Sequence, residues 1–144
     1  MAYHKDYLLR MIEMMAEMIA IFLGLLKKGD TKQAEKRLNN AYREFLREDA
    51  AFFHQLPVEQ LTTDLLEKHD YTHQHLKILS ELFYAEGELS LKKGERSSAR
   101  VVFEKALFIR EFIENRASSF SLSDQERMNL LRERISNLNT PEKS

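Results

Sequence analysis

Four glycines and two prolines are the only strong chain breakers among 144 residues. A chain this poor in them has few places to turn, so it is expected to form long helices joined by short loops. The apolar residues point the same way. Near the N-terminus they recur at Leu8, Met11, Ile12, Met15, Met18, Ile19, Phe22, Leu25 and Leu26. That is the three-to-four-residue recurrence of a helix face, not the alternation of a strand. The spacing predicts an all-α protein.

Six helices are expected. The first spans about residues 3–28. It carries Leu9, Met14, Ile21 and Leu23 beyond its main stripe, so it is apolar on more than one side and needs more than one layer to cover it. Lys27 and Lys28 suit the negative end of the helix dipole, and Gly29 suits the position just past the end. Asp30 and Gln33 have the spacing of an N-terminal cap for the second helix. Its inner face is Ala34, Leu38, Ala41, Phe45 and Phe52. Pro57 opens a third helix over about 57–68, since proline is favoured at a first helical position. The fourth runs over about 72–93, with Leu76, Leu79, Leu82, Phe83 and Leu89 on one face and Glu86 as the odd member. The fifth, over about 96–117, is striped by Ala99, Val102, Phe103, Ala106, Ile109 and Ile113. After a serine-rich turn at Ser118–Ser123, Ser123 and Glu126 have capping-box spacing for a sixth helix, with Met128, Leu131, Ile135 and Leu138 along its seam. Residues 1–138 are read as one domain, and 139–144 as a frayed tail.

Composition excludes several classes of function. A net charge of −1 with scattered basic residues is not a nucleic-acid footprint. No cysteine is present, which excludes disulfides, thiolate metal sites and cysteine nucleophiles. Arg10, Glu13 and Glu17 interrupt the apolar first helix. At roughly 2.5–3.5 kcal/mol for each charge at a bilayer centre, a membrane span is not expected, nor is a signal sequence. The expected location is cytoplasmic.

Two segments repeat. Lys27-Lys28-Gly29-Asp30 precedes Ala34, Leu38 and Ala41; Lys92-Lys93-Gly94-Glu95 precedes Ala99, Phe103 and Ala106 at the same offsets. Small residues at such positions let two helices approach closely. Here the chain resembles the tetratricopeptide repeat, a helix-turn-helix of about 34 residues. Phe83, Gly87, Gly94, Ala99, Phe103 and Ala106 occupy the aromatic, small and packing positions of that repeat within 80–113. A second unit, over 16–45, has Phe22 where a small residue is usual. The pattern also departs at Glu86, Ser90 and Glu111. The whole chain, including Asp6-Tyr7-Leu8-Leu9-Arg10-Met11-Ile12-Glu13, is similar to a family of short bacterial tetratricopeptide-like proteins with no assigned activity. The resemblance implies antiparallel helical hairpins and no chemistry. It also implies that first helices line a concave binding face, through Glu81, Tyr84, Glu88 and Leu91 in one unit and Ala16, Ile19 and Leu23 in the other. The basic and Asn residues that clamp a peptide carboxylate in some relatives are missing.

Candidate chemistry is sparse. His69 and His73 are four apart, a spacing that on one helix places two imidazoles together for a metal, with Glu67 or Asp70 adding a carboxylate. The plainer reading is a helix N-terminus capped by Asp70 or Thr72. Glu13 and Glu17 are either a buried carboxylate pair or the solvated edge of the first helix. Ser118, Ser119, Ser121 and Ser123 lack a nearby His and a nucleophile-elbow motif. No phosphate-binding glycine loop is present. Neither a catalytic centre nor a cofactor is therefore expected. The expected function is a non-enzymatic interaction module, self-associating as a homodimer and binding a protein or peptide partner through Met14, Ile21, Leu23, Glu81, Tyr84 and Glu88. The alternative is a small metal or ligand binder using Glu13, Glu17, His69 and His73.

Overall fold

A computed structural model describes residues 5–116 and 121–139. Ser118, Ser119 and nearly all of the tail expected to fray lie outside the described residues. Every regular element among the described residues is helical: α1 (Lys5–Lys27), α2 (Thr31–Leu46), α3 (Ala50–Gln55), a 3₁₀ turn (Val58–Gln60), α4 (Thr63–Lys68), α5 (His73–Lys92), α6 (Arg96–Arg116) and α7 (Leu122–Asn139). No described helix is long and apolar enough to cross a membrane.

Seven α-helices occur among the described residues where six were expected, and the differences have local causes. The expected second helix stops at Leu46 because Arg47 takes a left-handed conformation (φ 61°) and donates its N–H to the Arg43 carbonyl. Phe52 therefore belongs to the separate helix α3. The expected third helix is the 3₁₀ turn followed by α4, with Pro57 as the residue before the turn. Helix α7 opens two residues earlier than the Ser123–Glu126 spacing suggested. Its reciprocal cap is Ser121 with Asp124: the Asp124 N–H donates to Ser121 Oγ (3.1 Å), and the Ser121 N–H donates to Asp124 Oδ2 (3.1 Å).

The two glycine turns are built alike. Gly29 and Gly94 both have positive φ (84° and 77°). After α1, Gly29 N–H donates to the Leu26 carbonyl and Asp30 N–H to that of Leu25; after α5, Gly94 N–H donates to Leu91 and Glu95 N–H to Ser90. This paired closure satisfies carbonyls that a helix end leaves open, and it requires a left-handed residue.

Helix α5 is the centre of the packing. It contacts α1, α2 and α6, while α7 lies on α6. Met11, Met15, Ile19, Phe22 and Leu26 of α1 are buried, as are Ala34, Leu38, Ala41, Tyr42 and Phe45 of α2. Between α5 and α6 the helices approach closely. Gly87 faces the Phe103 ring with no room for a Cβ, and Ser80 Oγ donates to the Ala106 carbonyl (2.9 Å). Ala99 and Ala106 are fully buried.

The glycines separate two costs. At Gly29 and Gly94 an added Cβ meets nothing, so alanine there adds only left-handed strain, about 1 kcal/mol. At Gly87 the Cβ collides with a buried ring, and overpacking of that kind costs about 1–3 kcal/mol. Chemical denaturation of the three alanine variants is expected to place Gly87→Ala as the least stable. An unchanged midpoint for Gly87→Ala would contradict the close α5–α6 approach.

Candidate functional site

The α5 positions expected to face a ligand form an acidic and aromatic line: Glu81, Tyr84 and Glu88. The structure places arginines of α7 on all three. Arg127 donates to Glu81 through Nε (2.8 Å) and Nη2 (3.2 Å), and its guanidinium lies 3.9 Å from the centre of the Tyr84 ring. Arg134 Nε donates to Glu88 Oε1 (2.7 Å). Glu81 is 7% exposed and Tyr84 3%. Behind them Arg110, 3% exposed, donates to Glu81 Oε2 (2.8 Å), Asp124 Oδ1 (2.7 Å) and Ser80 Oγ (3.3 Å). Lys77 adds a second cation at Asp124 (3.1 Å). Burial raises the Tyr84 hydroxyl pKa, and the Glu88 carboxylate adds to that. Burial works against the Arg127 cation, yet the Glu81 carboxylate holds its pKa above the ordinary value. Burial also works against the Asp124 anion, but hydrogen bonds from Ser121 and Lys77 outweigh it and lower the pKa. The result is a cross-tie of α5, α6 and α7 rather than an open acidic face.

Glu86, the odd member of the α5 stripe, is a second cross-tie. Tyr42, fully buried on α2, donates its hydroxyl to Glu86 Oε1 (2.9 Å), and His54 Nε2 of α3 lies 2.6 Å from Glu86 Oε2. Burial pushes the Tyr42 hydroxyl well above its usual pKa, and the adjacent carboxylate pushes it further. One carboxylate thus holds both α2 and α3 to α5. The signal available in the sequence was an acid on an apolar stripe.

The histidines do not assemble. His69 is the residue after α4 and His73 begins α5, so their four-residue spacing does not lie on one helix. No group of three or more potential metal ligands occurs among the described residues. Thr72 is the cap of α5: its Oγ1 accepts from His75 N–H (3.3 Å), and its own N–H donates to His75 Nδ1 (3.0 Å). An accepting Nδ1 assigns the imidazole as neutral with its proton on Nε2. Burial lowers the His75 pKa, while Asp70 opposes that shift and Arg47 adds to it. Glu13 and Glu17 are both exposed on α1.

On α1 the three interaction candidates separate. Met14 is 43% exposed and Ile21 48%, in line with exposed Tyr7. Leu23 is half-buried and lines a shallow groove of about 360 Å³ with Leu26, Lys27, Glu88, Leu91 and Lys92. Met11, Met15 and Ile19 are core residues, and Ala16 is exposed. No known family, curated protein or solved structure matches the chain.

Two outcomes follow from these contacts. Glu86→Leu leaves the Tyr42 hydroxyl buried without its acceptor, a loss of about 1–3 kcal/mol. Adding Tyr42→Phe removes the orphaned group, so the double variant is expected to regain most of that loss in urea titrations; equal stability of single and double variants would contradict the cross-tie. His75 has a folded pKa below its unfolded value near 6.5, so the unfolded chain binds the proton more readily. The stability it contributes is complete above that value and is lost as pH falls below it toward the folded pKa. Melting temperature should therefore fall on acidification through pH 6.5, and fall less in His75→Gln.

Proposed function

We propose that this chain is a non-enzymatic protein–protein interaction module of tetratricopeptide-like helical hairpins, and that it pairs with a second copy of itself through the outer face of α1. The observation that carries the reading is the line of exposed apolar side chains on that helix, with Met14 and Ile21 nearly half exposed. Exposed apolar side chains aligned on one face of a helix mark a contact surface when a partner covers them together, and closed two-fold dimers are the commonest assemblies of soluble chains. The α5 line of Glu81, Tyr84 and Glu88 suits the role of docking face less well, because α7 already covers it.

The hairpin part of the proposal is supported by the paired glycine turns and by the packing order. Helix α5 rests on both α1 and α2 although α3, the 3₁₀ turn and α4 intervene in sequence. In a stacked repeat each unit contacts its neighbours in this manner, with residues 47–72 as an insertion between two units. Helix α7 on α6 is then a closing helix, with charged residues on its outer side as terminal repeats require. The shallow groove between Leu23 and Leu91 offers a place for a peptide partner. We assign the chain to the cytoplasm and give it no nucleic-acid or membrane partner, on its near-neutral charge and the charged interruptions of α1.

Light scattering on the purified protein tests the pairing. The expected mass is twice that of one 17.0 kDa chain, and Ile21→Glu is expected to shift the population to monomer. A monomeric mass across a wide concentration range would overturn the proposal.

A further inference from the structure

The outer face of α1 carries a pattern that is complementary to its own reverse. Tyr7, Arg10, Met14, Glu17 and Ile21 are all exposed. They recur at alternating three- and four-residue steps, the seam spacing of paired helices. Along the seam the order is apolar, positive, apolar, negative, apolar. Read backwards, the apolar positions coincide and the charges exchange sign.

That symmetry selects one arrangement. We infer that two copies of α1 pair antiparallel across a two-fold axis at Met14, with Tyr7 of each copy against Ile21 of the other and Arg10 of each beside Glu17 of the other. This inference rests on the proposed self-association and specifies its geometry. A two-fold interface must be self-complementary, each residue pair occurring twice. The antiparallel register meets that condition with three apolar layers and two opposite-charge pairs. A parallel pairing in register instead sets Arg10 against Arg10 and Glu17 against Glu17, which disfavours it. Neither Arg10 nor Glu17 forms an ion pair or hydrogen bond with another described residue of its own chain, so both charges are available to a partner. Met11, Met15, Ile19 and Phe22 are buried on another face of α1, so pairing leaves those core residues in place; Tyr7, nearly half exposed, also lines a pocket with Phe45, Arg47 and His75. From Tyr7 to Ile21 it runs about 21 Å at 1.5 Å per residue.

The chain contains no cysteine, so a single introduced thiol reports on the register. Met14→Cys is expected to form a disulfide-linked dimer under mild oxidation, because the axis brings the two thiols together. Tyr7→Cys alone should not cross-link, whereas an equimolar mixture of Tyr7→Cys and Ile21→Cys should. Arg10→Glu and Glu17→Arg are each expected to weaken dimerisation about tenfold or more by placing like charges together. Combining both reversals should restore it to within about threefold. All of these positions are exposed, and an unchanged helical circular dichroism spectrum checks that each variant folds. If the unmodified protein is dimeric by light scattering but Met14→Cys does not cross-link and the charge reversals change nothing, the register is wrong while self-association stands. If the unmodified protein is monomeric at every concentration, both fall together.

Discussion

The close approach of α5 and α6 is the constraint on which the rest of the molecule depends. Gly87 leaves the Phe103 ring room to sit against the α5 backbone, and buried Ala99 and Ala106 keep α6 near. At that separation the Ser80 hydroxyl reaches a main-chain carbonyl of α6, and Arg110 reaches Glu81. A larger residue at any of these positions would push α6 outward and carry α7 with it, because α7 rests on α6. The coverage of Tyr84 by Arg127 therefore depends on the small residues of the α5–α6 contact.

Closing the helices this tightly brings charges indoors, and each is matched. Glu81 receives Arg110 and Arg127, Asp124 receives Arg110 and Lys77, and Glu86 receives Tyr42 and His54. Buried ion pairs add little net stability over well-packed apolar residues, but removal of one partner costs several kcal/mol. Their effect here is on geometry. Arg110 accepts only an arrangement in which α5, α6 and the start of α7 are together, and Glu86 does the same for α2, α3 and α5. Apolar packing on α7, where Met128, Leu131 and Leu138 are the buried residues, leaves its rotation less defined; Arg127 and Arg134 set which face meets α5.

What was legible in the sequence follows from the range of each interaction. The glycine turns, the Thr72 cap and the buried stripe of α1 are local, and short spacings expose them. The break after Leu46 was hidden because a left-handed arginine has no sequence signature, unlike glycine. The start of α7 was displaced by two residues because Ser121–Asp124 and Ser123–Glu126 are equally good capping spacings. Glu86 was visible only as an anomaly, since its partners lie on α2 and α3. The covering of Glu81, Tyr84 and Glu88 joins residues 46 positions apart in sequence, and spacing within one helix cannot reveal it.

While α5 is enclosed, α1 keeps Tyr7, Met14 and Ile21 toward solvent. Hydroxyl-radical footprinting over a range of protein concentrations measures both helices at once. Tyr84 is expected to stay protected at every concentration, while Met14 and Ile21 are labelled in dilute protein and become protected as concentration rises. Labelling of Tyr84 comparable to that of Met14, or labelling of Met14 that does not change with concentration, would contradict this expectation.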